Sequence, residues 1–92
     1  MKYTIRTTTQ FKKDLKTMQK RGYDLHLLTE IIELLANGQQ LPAKNRDHSL
    51  SGNFVGCREC HITPDWLLIY EITEKELFLY LTRTGTPSDL FR

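Results

Sequence analysis

The chain has 92 residues and a formal net charge of +2 at pH 7, with 39% hydrophobic and 26% charged residues. This length suits a single domain over residues 1–92 and excludes a two-domain enzyme. The composition is that of a soluble globular protein and excludes disordered, collagen-like and disulfide-rich classes. No apolar run approaches the roughly 18 residues of a membrane span, and residues 1–6 lack the apolar core of a signal peptide, so we expect a cytoplasmic protein without membrane contact.

The first half of the chain predicts one strand followed by two helices. Residues 2–7 alternate in hydrophobicity, which is typical of a short strand. Threonines at 7–9 offer a helix N-cap, and Gly22 ends the helix that follows. Asp24 caps a second helix that ends at Asn37-Gly38. The apolar stripes that support these helices consist of Phe11, Leu15 and Met18 in the first, and Leu25, Leu28, Ile32 and Leu35, widened by Leu27, Ile31 and Leu34, in the second.

The second half predicts a loop and then three strands. Residues 39–53 lack periodicity and form the loop, and strands are predicted over 54–62, 66–73 and 77–83. The short connections make neighbouring strands antiparallel. The sequence therefore predicts an α+β fold, in which two N-terminal helices pack on one face of a four-stranded, mainly antiparallel sheet.

The segment Cys57-Arg58-Glu59-Cys60-His61 matches the C-x-x-C-H pattern of haem attachment. We reject haem attachment, because it implies export and because residues three apart in a strand point to opposite faces. Two thiols and one histidine also fall short of a four-ligand zinc site. We expect two reduced cysteines.

Four polar or aromatic residues meet at one end of the predicted sheet. A turn at Glu74-Lys75 places Arg83 opposite Trp66, and the connection at residues 63–65 places His61 and Asp65 beside them. Imidazole, carboxylate and guanidinium groups can together deprotonate a ribose 2′-hydroxyl, stabilise a phosphorane and protonate a leaving oxygen. Each residue is also common in purely structural roles, and Trp66 belongs to the core if it faces the helices.

Three motifs in order resemble the RelE/ParE toxin superfamily, and more narrowly the YafQ-type messenger-RNA interferases. They are Asp47-His48-Ser49-Leu50-Ser51-Gly52, the run from Arg58 to Tyr70, and Arg83-Thr84-Gly85-Thr86 with Leu90-Phe91. The resemblance implies the RelE-like microbial RNase fold and a type II toxin that enters the ribosomal A site and cuts translated messenger RNA without a metal or other cofactor. It also implies an antitoxin partner, with operator DNA bound only through the antitoxin complex.

The resemblance assigns His48, His61, Asp65 and Arg83 to the active centre. We expect Arg83 to stabilise the phosphorane and the other three to supply proton transfer and substrate contacts. Further residues are expected to bind substrate, namely Phe91 from the resemblance, Trp66 as a stacking ring, and Lys44 and Arg46 in the basic loop. The basic face of the first helix predicts contacts with ribosomal RNA through Lys12, Lys13, Lys16 and Lys20.

The chain departs from the YafQ-type pattern at Pro87, where a histidine is usual. Proline cannot exchange a proton, so cleavage is slowed, taken over by His48 or His61, or lost. Two alternatives to a nuclease are therefore kept open. One is a non-enzymatic, gyrase-inhibiting toxin similar to ParE, and the other is a catalytically silent antitoxin partner that acts as a co-repressor.

Overall fold

The computed structural model of the chain describes residues 1–91. Its elements are β1 (Thr4–Thr7), α1 (Thr9–Lys20), α2 (Leu25–Ala36), β2 (His48–Ser49), β3 (Arg58–Thr63), β4 (Trp66–Thr73), β5 (Phe78–Gly85) and α3 (Pro87–Leu90). Two short 3-10 turns, Ala43–Asn45 and Gly52–Phe54, precede and follow β2.

The strands form one mixed sheet in the order β1-β5-β4-β3-β2, in which β1 runs parallel to β5 and the other pairs are antiparallel. The α+β class is confirmed. The predicted count of four strands was wrong, because β2 lies within the segment predicted as loop and adds a fifth strand. The short α3 was not predicted either, since four residues are too few to show helical periodicity.

The two long helices begin at the predicted caps. Thr8 accepts the Phe11 N–H at 2.9 Å, and Asp24 accepts the His26 N–H at 3.0 Å. After α1 the chain turns at Gly22, whose φ of 85° is readily adopted only by glycine. None of the helices in residues 1–91 has the length and apolar character needed to cross a membrane.

The main core lies between the long helices and one face of the sheet. It contains Tyr3, Phe11, Met18, Leu28, Ile31, Leu35, Ala36, Leu41, Cys60, Trp66, Leu68, Tyr70, Leu79 and Leu81. Residues that alternate with these along the strands face the other way. The second sheet face carries a smaller apolar cluster in which Leu67 and Ile69 pack with Leu90 of α3. The molecule therefore has a helix-covered face and a more open second face.

The two cysteines lie on opposite sides of the sheet, as predicted. Cys60 belongs to the main core, and Cys57 packs against the smaller cluster. Both are free thiols. Burial raises the pKa of the Cys60 thiol to about 12, so it behaves as a small apolar side chain.

The register of the last hairpin differs from the prediction. Arg83 pairs with Ile69 and not with Trp66. The turn is a four-residue loop over residues 74–77, in which Leu77 has a φ of 59°, and a β-bulge then shifts the pairing by one more residue at Thr82. Neither feature has a glycine or asparagine to signal it, so sequence reasoning placed the turn too early.

Candidate active site

A row of paired residues crosses the sheet and contains two of the predicted site residues. His48 pairs with Glu59, Glu59 with Ile69, and Ile69 with Arg83. Neighbouring strands lie about 4.8 Å apart, so the backbones of His48 and Arg83 are about 14 Å apart. The site is thus an extended strip with Ile69 and Leu67 in its floor.

At one end of this strip, two imidazoles meet at one buried carboxylate. Nε2 of His48 lies 3.4 Å from Oε1 of Glu59, and Nε2 of His61 lies 3.8 Å from the same oxygen. The Glu59 side chain is only 8% exposed, whereas that of His48 is 50% exposed. Sequence reasoning missed Glu59, although its position two residues before His61 on a strand predicts that both face the same side.

Backbone carbonyls orient both histidines. Nδ1 of His48 lies 2.7 Å from the Arg46 carbonyl oxygen, and Nδ1 of His61 lies 3.3 Å from that of Pro64. A carbonyl can only accept, so each Nδ1 carries the proton of its bond. The Nε2 atoms are therefore the ring positions that face Glu59 and can exchange a proton with a ligand.

Asp65 lies at the turn between β3 and β4, close in sequence to His61 as predicted. Its carboxylate accepts the hydroxyl of Thr63 at 2.9 Å and that of Tyr23 at 3.0 Å. These two bonds, chiefly the one from Thr63, lower the pKa of Asp65. The carboxylate is therefore ionised at neutral pH and fixed in orientation.

Arg83 is held by α1. Its Nε donates to Oδ2 of Asp14 at 2.7 Å, and its Nη2 donates to Oδ1 at 3.1 Å. The bond to Asp14 raises the pKa of Arg83. Asp14, Arg83 and Thr84 line a pocket of about 180 Å³ with Asp89 of the C-terminal segment. Sequence reasoning did not single out Asp14, because one acidic residue on a basic helix gives no signal in the sequence.

Trp66 faces the helices and is fully buried. Its indole N–H donates to Oγ1 of Thr84 at 2.8 Å, and its ring meets Tyr23 edge to face at 5.2 Å. Of the two roles considered for Trp66, the geometry is that of a core residue.

The C-terminal segment places an aromatic side chain beside the strip. Phe91 is 48% exposed, and its ring lies 5.9 Å from that of Phe54 in an edge-to-face arrangement. Thr86 and Asp89 form a capping box around Pro87, which is the first residue of α3. Arg21, the residue that follows α1, bonds both oxygens of Asp89, at 2.7 and 3.1 Å, and anchors this segment.

The basic loop supports the histidine end of the strip. Lys44 is exposed and lines a pocket of about 380 Å³ together with His61. Asn45 is buried, and its amide donates to the His61 carbonyl at 2.7 Å. Arg46 is exposed and adopts a left-handed conformation with a φ of 48°. Lys44 and Arg46 thus lie near His61 and His48, respectively.

The lysines of α1 form an exposed basic face. Phe11, Asp14 and Met18 are the buried residues of this helix. The exposed residues of the helix include Lys12, Lys13, Lys16 and Lys20. Within residues 1–91 there is no group of three or more His, Cys, Asp or Glu side chains arranged to hold a metal ion.

Comparison with known proteins identifies the family. Residues 3–92 match the model of a bacterial toxin of type II toxin-antitoxin systems, YafQ. The mRNA interferase toxin YafQ of Escherichia coli K12 is 43% identical over 88 residues, which cover 95% of this chain and 94% of that protein. YafQ from E. coli BL21(DE3) has a TM-score of 0.92 and 41% identity, over 98% of this chain and 99% of that one.

Two further structures extend the likeness. A metal-bound toxin from Helicobacter pylori has a TM-score of 0.91 and 46% identity, over 97% of this chain and 99% of that one. The E. coli DinJ-YafQ toxin-antitoxin complex contains a chain with a TM-score of 0.89 and 40% identity, and the match covers 100% of both chains. The chain belongs to the YafQ family of bacterial toxins of type II toxin-antitoxin systems.

Proposed function

We propose that this protein is an mRNA interferase, as its E. coli relatives are named, and that the strip from His48 to Arg83 is its active site. The observation that carries the proposal is the placement of two imidazoles, two carboxylates and one guanidinium along the strip that crosses the open sheet face. Cleavage begins when the ribose 2′-oxygen attacks the adjacent phosphate, and it ends when the 5′-oxygen leaves with a proton. These groups can supply both proton transfers and the charge stabilisation.

The histidine end of the strip is suited to proton transfer. His48 and His61 both have Nδ1 occupied by a backbone carbonyl, which leaves Nε2 to exchange protons. We assign one imidazole to the 2′-hydroxyl and the other to the leaving oxygen. Glu59 keeps the two rings in a fixed mutual orientation. Asp65 has a lowered pKa and two hydrogen-bond donors, so we assign it an orienting role.

Arg83 is suited to the phosphate. A guanidinium presents planar pairs of N–H donors that match phosphate oxygens, and it keeps its charge throughout the reaction. The Arg83 side chain is 26% exposed, so a ligand can reach it from solvent. Between the two ends, Leu67 and Ile69 provide an apolar floor, and Phe91 offers a ring on which a base can stack.

The partners of the protein follow from its family and its charges. The E. coli relative forms a complex with DinJ, so we propose a cognate antitoxin here, with operator DNA bound only through that complex. We also propose that the exposed lysines of α1 contact ribosomal RNA and present the strip to message in the A site.

Pro87 favours a reduced rate of mRNA cleavage in this protein. It is exposed at the start of α3, where it cannot transfer a proton. A lost general acid or base typically lowers the rate by about 10² to 10⁴. The retained His48 and His61 nevertheless favour a working nuclease over a silent antitoxin partner. The gyrase-inhibiting alternative has less support, because the comparisons match YafQ proteins.

The test is a translating extract with a defined message, in which new 5′ ends are mapped with and without ribosomes. We compare the wild type with Arg83→Ala and with Lys75→Ala, which removes an exposed charge at the opposite end of β5. Ribosome-dependent cuts by the wild type and Lys75→Ala, lost in Arg83→Ala, support the proposal. Full cleavage by Arg83→Ala, or no cleavage by the wild type, would overturn it.

A further inference from the structure

We propose that Asp14 of α1 is a positioning residue that holds the Arg83 guanidinium in the orientation in which it receives the scissile phosphate. This inference rests on the proposed function. It gives α1 a role in the active site, in addition to the proposed contacts of its exposed lysines with ribosomal RNA.

The two contacts occupy one edge of the guanidinium and leave another free. Arg83 bonds Asp14 through Nε at 2.7 Å and through Nη2 at 3.1 Å, so the carboxylate occupies the side edge of the guanidinium, which is formed by Nε and Nη2. A guanidinium has five N–H donors. The remaining donors are both N–H groups of Nη1 and the second one of Nη2, and one N–H from each of these nitrogens forms the end-on edge. Phosphate and Asp14 can therefore bind the same guanidinium at once.

Asp14 is itself held from several sides. Its Oδ2 also accepts the backbone N–H of Thr84 at 3.2 Å, and its Oδ1 accepts the Gln10 side-chain amide at 3.0 Å. The residue is 8% exposed, and the helix around it is anchored by the buried Phe11 and Met18. A carboxylate fixed in this way is a rigid reference point for a long and otherwise flexible arginine side chain.

The bulge in β5 explains why such a support is needed. The pairing shifts at Thr82, next to Arg83, and β1 pairs with β5 only as far as Leu81. Arg83 therefore lies beyond the end of the β1–β5 pairing, and at that edge of β5 the Asp14 carboxylate of α1 bonds Arg83 and Thr84. Without Asp14, the guanidinium would sample several rotamers, and a displacement of about 1 Å at a reacting group can cost about 100-fold in rate.

A purely structural role for the same contact makes a different prediction. Removing Asp14 would then lower stability without changing the cleavage rate of the folded molecules. An effect of Asp14 on catalysis that does not act through Arg83 would instead be equal whether or not an arginine is present at position 83. A double-mutant cycle separates the two cases, because a positioning residue acts only through its partner.

The experiment uses the full chain and measures kcat and KM for cleavage of ribosome-bound message. The variants are Asp14→Asn, Arg83→Lys and the double variant, and Glu74→Gln is the matched control. Glu74 lies in the loop between β4 and β5, at the other end of β5 from Arg83, and accepts the Tyr3 hydroxyl at 2.6 Å. This control therefore also removes a carboxylate that bonds a residue distant in sequence. Unfolding by urea gives the folded fraction of each variant.

We expect Asp14→Asn to lower kcat about 10- to 100-fold with KM changed less than about threefold, and Glu74→Gln to leave both unchanged. In the Arg83→Lys background, Asp14→Asn should change kcat less than about twofold. As an independent readout, the Arg83 Nε–H resonance should exchange slowly with solvent in the wild type and rapidly in Asp14→Asn.

Two results would overturn the inference alone, namely a cleaving wild type with a fully active Asp14→Asn variant, or an equal loss from Asp14→Asn in both backgrounds. A wild type that does not cleave would instead overturn the proposed function and this inference together.

Discussion

His48 and His61 direct their Nε2 atoms to the same oxygen of Glu59, at 3.4 and 3.8 Å. The two histidines are on different strands, and a single buried carboxylate sets the distance between them. The Nδ1 atom of each ring is bound to a backbone carbonyl, so neither ring can turn without losing a contact. This arrangement gives the site two proton-exchanging groups at a fixed separation.

The first prediction concerns Glu59. We expect Glu59→Gln to lower the cleavage rate about 10- to 100-fold, because a neutral amide oxygen attracts the two Nε2 groups less strongly than the carboxylate oxygen does, and the orientations of the rings relax. The measurement is single-turnover cleavage of ribosome-bound message. Glu71→Gln on the neighbouring strand is the control and should cleave at the wild-type rate. Equal rates for Glu59→Gln and the control would contradict the assignment.

The second prediction concerns Pro87. We expect Pro87→His to raise the cleavage rate at least about tenfold, since it adds a proton-exchanging group where the family pattern has one. Ser88→His, one residue further along the exposed start of α3, should bring no comparable gain. Unchanged cleavage by Pro87→His would show that Pro87 does not slow the reaction and that His48 and His61 perform both proton transfers at full efficiency.

The third prediction separates the two roles considered for Trp66. Trp66→Phe keeps an aromatic ring but removes the indole N–H that donates to Thr84. We expect the free energy of unfolding to fall by about 1–3 kcal/mol, because a buried hydrogen bond is lost. The cleavage rate per folded molecule should stay within about twofold of the wild type. Intact stability combined with lost cleavage would contradict the core role.

The fourth prediction concerns the basic face of α1. We expect Lys12→Glu/Lys16→Glu to weaken ribosome binding and to reduce the slope of log affinity against log salt by about 2, one unit for each lost phosphate contact. The control is Lys2→Glu/Lys75→Glu, which changes net charge equally but lies away from this face. Equal losses in both double variants would point to net charge alone.

The fifth prediction is a pH dependence of stability. The bonds from Arg21, followed by the bond from the Thr86 backbone, lower the pKa of Asp89 far below its ordinary value of 3.8. A carboxyl group whose pKa is lowered by folding contributes its full stabilisation at pH values well above its ordinary pKa. This stabilisation declines as the pH falls from about 5 towards the folded-state pKa. Urea unfolding should therefore show a deficit for Asp89→Asn that is largest near pH 7 and smaller at pH 3.

A deficit that is the same at both pH values would contradict this assignment. Asp24→Asn is the control, because asparagine is as good a helix N-cap as aspartate.

The sequence alone predicted the elements that are marked by hydrophobic periodicity and by helix caps. Thr8, Asp24 and the turn that contains Asp65 lie where the pattern placed them, since each acts on residues next to it in the chain. The proximity of His61 to Asp65 followed from that turn alone.

Features that depend on contacts distant in sequence could not be predicted in this way. The β-bulge at Thr82 and the left-handed Leu77 shift Arg83 from Trp66 to Ile69, and neither carries a local signal. Asp14 and Glu59 became visible only once α1 and β3 were placed against their partners. The resemblance to a known family supplied the proposed site residues before geometry did, but it did not indicate which neighbours hold them in place.

The parallel pairing of β1 with β5 has a consequence for the order in which the molecule is made. Thr8 at the start of α1 bonds Thr82, which is 74 residues further along the chain. The first helix therefore has no strand to dock on until β5 has been synthesised, and Arg83 and the C-terminal segment arrive in the same stretch. A nascent chain can therefore complete its sheet and the proposed active site only after the last elements have been synthesised.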